Sequence, residues 1–255
     1  MQISFGRVLY SEWQKTKNIW GFTMSLLGPL AVSLIMVYAF FHNAEKASNA
    51  TNPWNDLALH TYQFYFLLYP LFAALAAFLL SNIEHKNQGF KQIFSLPAPK
   101  SYFYFSKVLI LLSWIFCSLV LAGLLIGISG KFLGMAIPAY GFQEYQPENI
   151  TWIYLFRMFI SLLSILSIHF FLSLYWDNFI ISIGAAVFLL VLGMTIYNNW
   201  EYAYLFPYTY PVQHFIEFRT GIAPIWGREA WISLAYTVFF FGAGYYWVSR
   251  KNIAA

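Results

Sequence analysis

The sequence predicts an all-α polytopic membrane protein with six transmembrane helices, and three observations carry that prediction. Hydrophobic residues make up 60% of the 255 positions and charged residues only 9%, whereas soluble chains carry roughly a quarter charged residues. Apolar runs of roughly 20 residues recur along the whole length, each long enough to cross a hydrocarbon core of about 30 Å. These runs are continuous rather than alternating, which excludes a transmembrane β-barrel. The single Cys117 lies inside one of them, so neither a disulfide framework nor a cysteine metal site is available. The pI near 9.0 comes from loop lysines and arginines. No basic arm for nucleic acid is present.

The elements follow in order. Residues 1–19 precede the membrane, with Phe5, Leu9 and Trp13 on one helical stripe and Arg7, Lys15 and Lys17 able to reach headgroups. That pattern predicts an amphipathic interface helix. The first span covers about 20–41, with Gly28-Pro29 inside it as an expected kink. This run is long enough to remain as a span, so no cleaved signal peptide is expected. The second span, about 59–80, carries Pro70, and the third, about 108–128, carries Gly123 and Gly127. Small residues four apart let helices approach closely, within one bundle or between two copies. The fourth span covers about 151–176, Asp177-Asn178 makes a tight turn, and the fifth covers about 179–197. An aromatic segment at 198–227 precedes the sixth span, about 230–248. No domain boundary interrupts 1–255, which reads as a single transmembrane domain.

Between the second and third spans, residues 81–107 hold Lys86, Lys91, Lys100 and Lys107 with Glu84 as the only acid. Ile93, Phe94 and Leu96 give the stretch an apolar side, and Pro97 and Pro99 end any helix it forms. Two readings stand: a short amphipathic helix at the membrane surface, or a solvated loop whose lysines fix topology. The order of Glu84, Asn87, Phe90, Leu96-Pro97, Tyr102 and Ser106-Lys107 resembles the coupling segment of type-2 ABC transporter permeases. It is most similar to the subgroup of lantibiotic and bacteriocin immunity and bacitracin resistance. The string Tyr10-Ser-Glu12-Trp13-Gln-Lys15 likewise resembles the interface helix of these permeases, which often reads Glu-x-x-Lys. The resemblance implies that Glu84, Asn87, Phe90, Phe94, Leu96 and Pro97 dock on a separate ABC ATPase subunit that holds the ATP and magnesium. It also implies pairing with a second copy or a sister permease, no cofactor on this chain, and an extracellular cap formed by 198–227.

Six spans put both termini on one side. Arg7, Lys15, Lys17, Lys86, Lys91, Lys100, Lys107, Arg250 and Lys251 share that side, against Lys46, Lys131, Arg157, Arg219 and Arg228 opposite. The positive-inside rule then makes both termini and the 81–107 stretch cytoplasmic. The expected location is the bacterial inner membrane, with the lipid bilayer itself as a partner.

A search for chemistry gives mostly exclusions. Ser129-Gly-Lys131 lacks the glycine spacing of a phosphate-binding loop, and neither a nucleophile elbow nor a His-Glu-x-x-His zinc motif occurs. His169, Ser173 and Asp177 line one helix face, and an ionisable group at membrane depth is a functional candidate. A hydrogen-bonded packing role is the competing reading, because no partner acid or base lies within the core. Arg157, Ser161 and Ser164 form a second polar stripe, from which Arg157 can snorkel outward. Trp200, Tyr202, Tyr204, Phe206, Tyr208 and Tyr210 suit either an interfacial belt or the cap, and Glu217 among them could touch a cationic substrate. The resulting expectation is a transmembrane exporter subunit moving an amphipathic peptide or lipid-like substrate, with His169, Ser173 and Glu217 on the path. The alternative is a non-transport membrane scaffold or assembly factor.

Overall fold

The computed structural model describes residues 4–17, 20–43, 52–85, 98–145, 150–220 and 226–250. Within them every long element is helical: α1 (Phe5–Thr16), α2 (Trp20–His42), α3 (Pro53–His85), α4 (Lys100–Ala136), α5 (Ile150–Tyr175), α6 (Phe179–Ile196), α7 (Tyr210–Thr220) and α8 (Arg228–Arg250). Local chemistry sets several starts. Asn52 accepts from the Trp54 amide at 3.0 Å ahead of Pro53, whose missing N–H suits the first helical position. Asn178 caps α6 by accepting from the Ile180 amide at 2.9 Å.

Five helices (α2 to α6) are long and apolar enough to cross a membrane. The sixth expected span falls in α8, whose 23 residues reach about 34 Å at 1.5 Å per residue. Its apolar content is lower, because Ser233, Tyr236, Thr237, Tyr245 and Tyr246 interrupt it. The exterior suits a lipid setting: Leu30, Leu34 and Ile35 of α2, Ile180 and Phe188 of α6, and Val238 and Phe239 of α8 all face outward. Such a continuous apolar exterior is unfavourable in water and natural in hydrocarbon.

Among these five spans α5 is the most enclosed, while α2 and α6 are the least enclosed. It packs along α3 and α8, and side-chain hydroxyls bind across both seams: Tyr62 of α3 donates to the Tyr154 carbonyl at 3.2 Å and Ser233 of α8 to the Ile160 carbonyl at 2.6 Å. Gly123 of α4 sits where a Cβ would lie 2.6 Å from the Trp152 ring of α5, whereas Gly127 faces open space. Of this pair, Gly123 alone makes a close approach within the bundle.

The aromatic segment after α6 does not lie flat. Its turns put Tyr208, Thr209 and Tyr210 among the buried residues, and α7 then runs antiparallel along α5. Three contacts show the register: Tyr208 meets His169, His214 meets Ser161, and Glu217 meets Arg157. Phe215 stacks on Phe66 and Phe218 on Tyr62, which attaches α7 to α3 as well. Gly193 permits this insertion, since a Cβ there would lie 2.6 Å from the Tyr208 carbonyl oxygen.

Candidate functional site

At the end of the bundle that carries α1, four charged side chains meet. The buried line of α1 is Val8, Glu12 and Thr16, while Phe5, Leu9 and Trp13 flank it half-buried. Trp13 packs edge-on against Phe22 and Phe5 against Tyr102, with ring centroids 5.6 Å apart in each pair. An acid therefore occupies the centre of the buried stripe, and Lys107 explains it. Its ammonium lies 2.5 Å from Glu12 Oε2 and 2.8 Å from Glu84 Oε1, and all three side chains are buried. Lys15 closes the cluster from solvent at 2.6 Å from Glu12 and 3.5 Å from Glu84. Burial alone would raise the Glu12 pKa, but Lys107 and Lys15 outweigh it and hold the carboxyl below its ordinary value of 4.5.

The cluster joins three elements: α1, the last turn of α3 and the first turns of α4. Those last two flank the connection between the second and third spans. Of the docking residues expected there, Glu84 takes part in the cluster, while Asn87, Phe90, Phe94, Leu96 and Pro97 lie outside the described residues. Glu12, Lys15 and Glu84 were legible as separate candidates in the sequence. Their assembly around Lys107 was not, because the partners lie 95 and 23 residues apart.

Along α5 the polar positions bind within the bundle. Ser173 shares a hydrogen bond with Ser81 at 2.6 Å, and His85 Nε2 lies 2.9 Å from the Ser173 carbonyl. His169 is fully buried and hydrogen-bonded through Nε2 to the Tyr208 hydroxyl. Arg157 does not snorkel outward. It is buried, with Nη2 at 2.5 Å from Glu217 and 3.0 Å from Glu229 at the start of α8. Desolvating an arginine at this depth is unfavourable, and the two carboxylates offset that cost. Gln213 donates to Glu217 at 2.9 Å, and the Ser161 hydroxyl lies 2.6 Å from His214 Nε2. His214, Glu217 and Glu229 bring ligand atoms within 4.8 Å of one another, a spacing open to a divalent cation. Arg157 already occupies the position between the two carboxylates. The group is thus an ion-pair junction of α5, α7 and α8, with Glu217 on the arginine.

A family profile described as ABC-2 family transporter protein matches residues 8–193, nearly three quarters of the chain. The chain belongs to the ABC-2 transporter family. The match runs from α1 through α6 and so contains the whole Glu12–Lys15–Glu84–Lys107 cluster. Membership makes this the transmembrane component of an ABC transporter, a multi-pass membrane protein of a family that works with an ABC ATPase and is generally not itself catalytic. No match was found among curated proteins, nor among solved structures. In this ABC-2 transporter subunit the α1-end cluster is the candidate site, because it touches both ends of the stretch that resembles a coupling segment.

Proposed function

We propose that the chain is the membrane subunit of an ATP-driven exporter that removes an amphipathic peptide or lipid-like substrate from the bilayer, in an antimicrobial-peptide immunity or secretion role. The single observation that supports this reading is the buried cluster around Lys107. It makes α1 and the ends of α3 and α4 one charge-paired unit. A push on the 86–97 connection would reach two spans and the interface helix together, because moving one element alone would separate buried opposite charges. ATP and magnesium are held by the separate ATPase subunit, which docks through Asn87, Phe90, Phe94, Leu96 and Pro97. The subunit pairs with a second copy or a sister permease, and its termini face the bacterial cytoplasm.

Purification from native membranes tests the reading. An ABC ATPase should remain bound in a fixed ratio to this chain. Recovery of a stable assembly that contains other membrane proteins and no ATPase would favour the scaffold reading instead.

A further inference from the structure

An open groove of about 440 Å³ lies between the ends of α5 and α8, lined by Phe171, Tyr175, Ala243, Tyr246, Trp247 and Arg250. Phe171 to Tyr175 form the last turn of α5, and Ala243 to Arg250 cover two turns of α8, about 10 Å at 1.5 Å per residue. This is the end of the bundle that carries α1, because Ser173 meets Ser81 and His85 on the last turn of α3 beside Glu84. The walls are aromatic. Tyr175 packs on Trp247 with ring centroids 4.7 Å apart and on Phe171 at 5.2 Å. Tyr175 and Tyr246 stay about half exposed, so the groove opens on the outer surface.

Arg250 gives the rim its charge. The guanidinium lies over the Tyr246 ring, 4.4 Å from the centroid. Among the described residues no carboxylate pairs with it, Asp177 beyond the end of α5 included. Stacking engages the face of the guanidinium and not its in-plane N–H donors, which suit the paired oxygens of a phosphate. Lys100 brings a second cation to the same place, donating to the Ser249 carbonyl at 3.1 Å. The occupant therefore has an anionic head and an apolar tail. Tyrosine and tryptophan gather at headgroup level, and a cation at the end of a span reaches the phosphate layer, from which the groove descends into hydrocarbon. In a zwitterionic lipid the head also brings an ammonium towards Arg250 and Lys100, whereas an anionic lipid brings no opposing charge. We propose that the groove binds one anionic phospholipid, its phosphate on Arg250 and its acyl chain along Tyr175, Trp247 and Ala243. This site goes beyond the transport role and holds for an exporter or a scaffold alike.

The test is native mass spectrometry of the full chain in dodecylmaltoside micelles, supplied with equal dioleoylphosphatidylglycerol and dioleoylphosphatidylcholine. Phosphatidylglycerol should bind about fivefold in preference to phosphatidylcholine, the ratio that one arginine near an anionic lipid surface provides. Arg250→Gln should abolish that preference. Arg228 is the matched control, an exposed arginine stacked 4.5 Å over Tyr204 at the start of α8, and Arg228→Gln should keep it. Equal loss in the two variants would mean general charge attraction and overturn the proposal. Equal binding of the two lipids by the wild type would overturn it too, leaving ordinary lipid contact. A second measurement on the wild type locates the lipid. Phosphatidylglycerol with a diazirine on its acyl chain should label the peptides that contain Tyr175 and Trp247, and Ala243→Trp, which fills the groove, should suppress that labelling. Labelling confined to other helices, or unchanged by Ala243→Trp, would remove the site.

Discussion

Lys107 is the residue on which the α1-end cluster depends. Replacing it with Met leaves Glu12 and Glu84 buried together without their shared cation, and breaking a buried pair in this way costs about 3–5 kcal/mol. Lys107→Met should therefore lower the thermal midpoint and the yield of monodisperse protein, and unchanged values would show the cluster to be energetically neutral. Acid provides a second reading of the same contacts. Because the Glu12 carboxyl is held below its ordinary value of 4.5, its contribution is fully present above that pH and lost as pH falls below it. Thermal stability of the wild type should drop more steeply below pH 4.5 than that of Glu12→Gln. The Arg157 junction shows how such residues escape a reading of the sequence. Arg157 and Glu217 stood out individually as charges in apolar surroundings, but 60 residues separate them and the register of α7 on α5 pairs them. The available signal was their opposite sign, since a buried cation in a membrane requires a counter-charge.

Among the elements, the long apolar runs were legible because a span must satisfy its own backbone and so declares itself by length. Five of the expected spans match α2 to α6, and α3 and α4 run well past the expected ends, over Pro53–His85 and Lys100–Ala136. The aromatic segment was not legible as an insertion. Tyr202 to Tyr210 carry the same side chains that an interfacial belt would, and only the contacts of Tyr208 with His169 and Gly193 distinguish the two. The inward side of α1 was legible only in its apolar part. Hydrophobicity marked Phe5, Leu9 and Trp13, but a paired charge took the central buried position. Helix packing at the small residues of α4 gives a prediction at this scale. Gly123→Leu should reduce the recovery of folded protein, because the new side chain meets Trp152 and Leu155, whereas Gly127→Leu should leave it near wild type. Equal losses at both sites, measured by size-exclusion yield in detergent, would contradict the internal packing assigned to Gly123.

For the whole molecule, the bundle has two charged junctions, one joining α1, α3 and α4 and one joining α5, α7 and α8, with apolar helix faces between them. In the proposed exporter the end with α1 faces the cytoplasm, because the lysine- and arginine-rich segments gather there. A cysteine at Gln92, in a background where Cys117 is Ser, should resist a membrane-impermeant thiol reagent in intact cells and react after lysis; reaction in intact cells would reverse the orientation. In the proposed exporter the connection between α3 and α4 receives the ATPase, and the Lys107 cluster carries its motion into the bundle. Aromatic anchors at interfaces commonly contribute about 2 kcal/mol or more each, so losing two should leave little complex. The most direct measurement is the amount of ABC ATPase recovered per permease when Phe90→Ala/Phe94→Ala is purified beside the wild type. The double variant should insert normally and recover at least tenfold less ATPase, on the order of the loss of one such anchor; wild-type recovery would show that the ATPase docks elsewhere.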